Sequence, residues 1–167
     1  FGHFNILGDG RACLVDEWKS SEGFLHDVHL KGSGVTPYSR RGDGRATLKA
    51  MLREAIMSEA IHALQIPTTR TLAVLNTGDH IIRNGTEKGG LLARMASSHL
   101  RVGTFEFAGM NDHEVLKVLA DYAIVRHYPQ CASLENPYLS LLREVVHVQI
   151  DLIVNWMSVG FIHGVMN

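Results

Sequence analysis

Cysteine is scarce in this chain: two residues in 167, Cys13 and Cys131. They stand far apart and form no CxxC pair, which excludes a disulfide-stapled fold and points to two free thiols in a reducing compartment. Net charge is equally scant. The formal value is −1, too little of either sign for bulk binding to DNA, RNA or an acidic membrane. Long apolar runs are missing, and none approaches the roughly 18 residues of a membrane span. No signal peptide, internal repeat or low-complexity tract is visible. A starting methionine is absent too, and the last residues, FIHGVMN, read as the middle of a longer sequence. The expectation is a piece cut at both ends, cytoplasmic if bacterial and mitochondrial if eukaryotic.

What is present suffices for a core. Apolar residues make up 46% of the chain, enough for one domain, or for one lobe and part of another. Residues 12–17 and 24–31 read as strands around a turn at 20–23. Residues 46–64 give the clearest helix: Leu48, Met51, Leu52, Ala55 and Ile56 recur at helical spacing, and Pro67 enforces a stop. Residues 71–75 and 80–83 flank Asn76, Thr77, Gly78 and Asp79, which predicts a hairpin, and 91–96 form a further strand. Asn111 with Glu114 predicts a capping box opening a helix that ends near Pro129. Asn136 and Pro137 open another, which Gly160 stops. Strands, one helix, strands and then helices make an α+β arrangement. The boundary falls near 103–109, giving a sheet-rich lobe over 1–108 and helices over 109–167.

One stretch stands apart in composition. Between positions 30 and 45, Lys31, Arg40, Arg41 and Arg45 are interleaved with Gly32, Gly34, Gly42 and Gly44. The glycines and Pro37 forbid a helix or a central strand over most of it. From Lys31 to Glu54 there are six cations and two anions, a local +4. Cations beside bare backbone amides are what a phosphate chain requires. Upstream, Gly8, Asp9, Gly10 and Arg11 form a second such element before a strand. Two glycine–arginine elements bracketing a lysine suggest a nucleotide site.

Particular residues follow from that reading. Lys31 ends a strand, and Glu54 sits well inside the next helix. A lysine held by a helix carboxylate is how protein kinases aim the amine that touches ATP phosphates. Asp43 and Gly44 precede the long helix, where Asp43 could equally serve as its N-cap. Arg94 lies between Ala93 and Met95, a partly buried place where a guanidinium needs an anion, either a phosphate or a carboxylate. Arg101 follows seven residues on. His26 and His29 lack a third metal ligand and suit surface or packing roles, and His163 suits a structural one. Arg41, Gly42 and Asp43 spell an adhesion tripeptide in surroundings that do not fit adhesion. Asn84, Gly85 and Thr86 form a sequon that matters only in a secreted protein.

With these residues assembled, the sequence resembles the selenoprotein O / YdiU family of protein adenylyltransferases. The matching stretches are LGDGRA at 7–12, LKGSG at 30–34, TPYSRRGDGRA at 36–46, IPTTR at 66–70, RMASSHLRVGTFE at 94–106 and VGFIHGVMN at 159–167. They span nearly the whole chain. The resemblance implies a protein-kinase-like fold that transfers AMP from ATP to Ser, Thr or Tyr hydroxyls of other proteins. The nucleotide is flipped relative to its place in kinases. The family was long called a pseudokinase.

Carried over by motif, Gly8, Gly10 and Arg11 would belong to the glycine-rich nucleotide loop. Lys31 would contact phosphate with Glu54 as its partner. Asp43 and Gly44 would line the ATP site, and Arg94 and Arg101 would complete it on the phosphate side. The implied cofactors are ATP and Mg2+ or Mn2+. The implied partners are protein substrates, with no nucleic acid and no membrane. Phe4, Asn5 and Ile6 stand where the family usually has Ala-Gly-Gln, and Val35 replaces the usual proline, so an altered loop around a retained site is expected. After HGVMN the family continues with Thr-Asp-Asn, which carries the proposed base and a metal-binding asparagine, and later with a metal-binding aspartate. No metal ligand is therefore expected within 1–167, and this piece alone is expected to be inactive and poorly soluble. Val165 takes the place of the kinase catalytic aspartate, which argues against ordinary kinase chemistry. The rival readings are γ-phosphate transfer and an inert nucleotide-binding scaffold.

Overall fold

A computed structural model describes residues 10–39 and 41–164. Gly8 and the last three residues of the HGVMN motif lie outside them. Among the described residues the chain forms a five-stranded antiparallel sheet and four α-helices, an α+β architecture in which a sheet-rich part is followed by helices. Two compact units divide between His99 and Leu100. Helix α2 (Val102–Asn111) occupies the stretch where the sequence reading sets the lobe boundary.

In the first unit, β1 (Ala12–Lys19) pairs with β2 (Leu25–Lys31), and β2 pairs with β5 (Thr86–Ala96). The other edge of β5 pairs along its length with β4 (Arg70–Ile82). A two-residue strand, β3 (Ala46–Thr47), adds to β5 at Gly90 and Gly89. The helix expected from 46 therefore starts later, as α1 (Leu48–Ala63). Its cap is Thr47, whose hydroxyl accepts the Ala50 N–H at 3.2 Å.

The expected hairpin at 76–79 is not one. Strand β4 runs through it with a register shift between Asn76 and His80, so the turn-like residues form an irregularity inside a long strand. The chain reverses between the paired Ile82 and Thr86, and Gly85 takes a φ of 132° in the turn. The sequon residues are thus a hairpin tip.

Side chains alternate across a strand, so Asp27, His29 and Lys31 of β2 share one face with their β5 partners Ala96, Arg94 and Leu92. Helix α1 covers this face. The core here is Ala46, Met51 and Leu92, flanked by Ala50, Ala55 and Val74.

The second unit is helical: α2, α3 (His113–His127), a 3-10 turn (Pro129–Ser133) and α4 (Pro137–Ser158). Its core is Ala120, Ala123, Ile124, Cys131 and Leu141, with Phe105 of α2 packed against it. The cap of α3 is Asp112 rather than Asn111, its carboxylate accepting the Glu114 N–H at 2.8 Å. Asn136 caps α4 with Pro137 at the first position, and Gly160 (φ 75°) follows its end. His163 stacks on Trp156 with centroids 5.4 Å apart, a packing role.

Candidate nucleotide site

The site builds outward from one carboxylate. Strand β2 ends at Lys31, α1 carries Glu54, and β5 carries Arg94. Lys31 Nζ lies 2.6 Å from Glu54 Oε2, and Arg94 Nη1 lies 2.9 Å from Glu54 Oε1. Each carboxylate oxygen thus has its own cation. All three side chains are partly buried, Arg94 the most at 20% exposed, so solvent screens the trio only in part. Two cations against one anion leave a net positive corner at the end of β2. Of the two anions weighed for Arg94, the carboxylate is the one in contact.

Glycines lie directly beyond Lys31. Gly32 (φ 89°) donates its N–H to the Arg11 carbonyl at 2.7 Å, and a Cβ there would lie 2.7 Å from the Gly90 carbonyl oxygen. The loop 33–45 leaves the sheet and returns through a narrow neck. Ser33 bridges Arg45, and the Gly34 N–H points to the Gly44 carbonyl at 3.3 Å. Gly44 (φ 63°) fits only as glycine, since a Cβ would sit 1.8 Å from the Gly34 carbonyl oxygen.

At the far end of the loop, Ser39 is buried and donates its hydroxyl to the Gly10 carbonyl, while accepting the Thr36 N–H at 2.8 Å. The two glycine–arginine elements seen in the sequence are thereby joined. Of the residues in the first, Gly10 faces Tyr38 and Ser39, and Arg11 is exposed.

Asp43 does not cap α1. Its carboxylate accepts two bonds from the Arg83 guanidinium, at 2.8 and 3.0 Å, and the Arg45 N–H at 3.0 Å. The Arg83 bond holds the Asp43 carboxyl down at a pKa of about 2, below its ordinary value. Arg45 in turn reaches Asp79 at 2.9 Å. Beneath the neck, Gly32, Ser33, Arg45, Asp79 and Gly90 line a cavity of about 200 Å3.

Arg101 belongs to the second unit. It precedes α2, and its N–H donates to the Thr104 hydroxyl while the Thr104 N–H returns to its carbonyl, the reciprocal pattern of a capped start. His29 is buried as a packing residue, its ring stacked on His99 at 3.7 Å. The His99 N–H donates to buried Asp27 at 2.8 Å, so polar side chains continue along the face from Lys31.

A family model described as protein adenylyltransferase SelO matches residues 1–167. The chain belongs to the SelO family. It is 60% identical over 168 residues to the protein nucleotidyltransferase YdiU of Bacillus mycoides (strain KBAB4), covering 100% of this chain and 34% of the relative. It is 58% identical over 168 residues to the protein of that name from Shouchella clausii (strain KSM-K16), covering 100% of this chain and 35% of the relative. The one from Nitrosococcus oceani is also 58% identical, again over 168 residues, with 100% and 34% covered. The SelO-family chain therefore spans about a third of the length of these curated relatives. Among the described residues no helix is long and apolar enough to cross a membrane.

Sequence reasoning did not single out Arg83 or the Asp27–His99 bond. Arg83 immediately precedes Asn84 and Gly85, and placing the hairpin turn there would have brought it to the Asp43 loop.

Proposed function

We propose that this chain supplies the nucleotide-binding part of a protein adenylyltransferase. The observation that carries the reading is the shared carboxylate of Glu54, which aims Lys31 and Arg94 from two strands beside glycine-rich turns. The names of the relatives support nucleotidyl transfer. In the proposed reaction a substrate Ser, Thr or Tyr hydroxyl attacks the α-phosphorus of ATP. The new O–P bond forms as the bond to the bridging β-phosphate oxygen breaks, the hydroxyl proton passes to solvent, and pyrophosphate leaves with the electron pair of the broken bond.

The role of the residues here is positioning and charge. Lys31 and Arg94, with Arg11, hold the phosphates and offset the charge that builds on the leaving pyrophosphate; for Arg101, in the second unit, the support is the family motif alone. Glu54 keeps the two inner cations in place. Gly10, Asp43 and Gly44 shape the backbone that admits the nucleotide. Phosphate transfer asks little covalent chemistry of a protein, so these effects account for much of its rate.

A divalent metal does not fit the residues described. No group of three His, Cys, Asp or Glu among them could hold one. Glu54 is committed to Lys31 and Arg94, and Asp43 to Arg83. No step is assigned to a metal on this chain.

The test uses the full-length protein with ATP labelled on the α- or the γ-phosphate. The α-label should enter protein, the γ-label should not, and Lys31→Ala should abolish incorporation. Transfer of the γ-label would instead make the protein a kinase. Binding of ATP with no transfer would make it a scaffold. Unchanged α-labelling in Lys31→Ala would remove the role given to that amine.

A further inference from the structure

The tip of the β4–β5 hairpin grips the loop 33–45 at its neck, and nothing in the family motifs accounts for it. Arg83 sits at the start of the turn, where its N–H donates to the Gly85 carbonyl at 2.9 Å. Its guanidinium spends four bonds on neighbouring chain. Nη1 donates to Asp43 Oδ2 at 3.0 Å and to the Ile82 carbonyl at 2.7 Å. Nη2 donates to Asp43 Oδ1 at 2.8 Å and to the Arg45 carbonyl at 3.1 Å. One side chain thus holds the residues on both sides of Gly44.

A second grip comes from the same hairpin. The irregularity in β4 presents Asp79, which takes Arg45 at 2.9 Å. Between the two grips lies Gly44, whose positive φ and blocked Cβ position allow a single backbone path. An exposed ion pair adds little to folding stability, so global stabilisation does not explain the arrangement. A planar fork on a carboxylate does fix orientation, and a lysine in its place supplies a point charge without that geometry.

We propose that Arg83 is a positioning residue for the nucleotide loop, holding the turn at Asp43 and Gly44 in the shape that receives ATP. The inference rests on the reading that this loop belongs to the nucleotide site. Its ligand contacts are made by the loop, and Arg83 acts through Asp43 and the Arg45 carbonyl.

The experiment compares Arg83→Gln and Arg83→Lys with unmodified full-length protein. Arg70→Gln serves as a control, because it breaks an equally forked exposed pair with Glu59 far along the sheet from this neck. Arg83→Gln should raise the KM for ATP about tenfold and leave kcat within about twofold, since the loop is misplaced while Lys31, Glu54 and Arg94 are untouched. Arg83→Lys should recover part of the loss, and Arg70→Gln none of it should show. In Arg83→Gln the Asp43 carboxyl, followed by NMR, should titrate higher than in the unmodified protein, where the Arg83 bond holds it down. Thermal midpoints separate this from unfolding: Arg83→Gln should melt with the control. A wild-type KM in Arg83→Gln overturns the proposal while leaving the nucleotide reading in place. A matched fall in kcat and melting temperature overturns it as well. An unmodified protein that binds no ATP overturns both.

Discussion

Arg94 reaches the Glu54 carboxylate at 2.9 Å while Lys31 occupies the other oxygen of the same group. One helix residue thereby fixes cations from two different strands. Glu54→Gln keeps the shape and removes the charge, which leaves an ammonium and a guanidinium facing each other with no anion between them. The cost to folding should be about 1–3 kcal/mol, the range for leaving a buried polar group unsatisfied, since residual solvent at these partly exposed cations offsets the larger penalty of a fully buried charge. If Lys31 and Arg94 hold phosphate as proposed, the cost to catalysis by the full-length protein should be larger, because misplacing such a group by an ångström lowers rates by about a hundredfold. Steady-state kcat for AMP incorporation by the full-length variant checks this. A rate within twofold of the unmodified protein would remove Glu54 from the mechanism.

Gly44 offers a test that depends on backbone alone. Its φ of 63° is matched by Gly78 at 79°, yet the two differ in surroundings. A Cβ on Gly44 would meet the Gly34 carbonyl oxygen at 1.8 Å, whereas one on Gly78 meets nothing within 4 Å. Gly78→Ala should therefore cost only the strain of a left-handed alanine, about 1 kcal/mol. Gly44→Ala should cost more than that and should also weaken ATP binding, because the loop neck must open. Urea midpoints and ATP titrations of the pair measure both effects. Equal behaviour of the two variants would contradict the close approach.

Acid should weaken the first unit only slightly, over a defined window, because both ion pairs concerned are exposed and screened by solvent. The carboxyl of Asp43 is lowered from 3.8 to about 2 by its bond from Arg83, and that of Glu59 from 4.5 to about 2 by its bond from Arg70. Both groups hold their protons less tightly when folded than when unfolded. Their contribution is complete above the unfolded values and is lost as pH falls from about 4.5 toward about 2. Urea midpoints measured across that interval should decline. Arg83→Gln and Arg70→Gln should each flatten the decline, and an unchanged slope in both would show that these pairs do not set it.

Much of the site could be read from residue order, for identifiable reasons. Lys31 closes a strand whose next residues are glycines, and Glu54 falls on the clearest helical periodicity in the chain. Strand end and helix face together place the amine and the carboxylate. Arg94 was legible only as a guanidinium in need of an anion, since composition cannot choose between Glu54 and a phosphate. Arg83 was not legible at all. Asn76, Thr77, Gly78 and Asp79 have the chemistry of a tight turn, and the pairing of β4 with β5 overrides it. The true reversal moves to Gly85, and Arg83 moves with it. Helix α2 was hidden by Gly103 and Gly109, two poor helix formers. Packing of Phe105 into the helical core outweighs that local penalty.

Core and site share one strand, and this yields a last expectation. Leu92 is 1% exposed and pairs with Lys31, and Arg94 projects from the same face of β5 two residues later. Leu92→Ala should open a cavity among Ala46, Met51 and Val74 and cost about 2–5 kcal/mol. Leu52, on the outer side of α1, is 45% exposed. Leu52→Ala should stay within about 1 kcal/mol, as surface changes do. The strand floor beneath Arg94 is held by Leu92, so the cavity should also loosen the grip on Glu54. In the full-length protein, Leu92→Ala should then lose the proposed AMP transfer at temperatures well below its own melting midpoint, whereas Leu52→Ala should not. Full transfer by Leu92→Ala in its folded range would show that the trio of Lys31, Glu54 and Arg94 holds its geometry without the core beneath it.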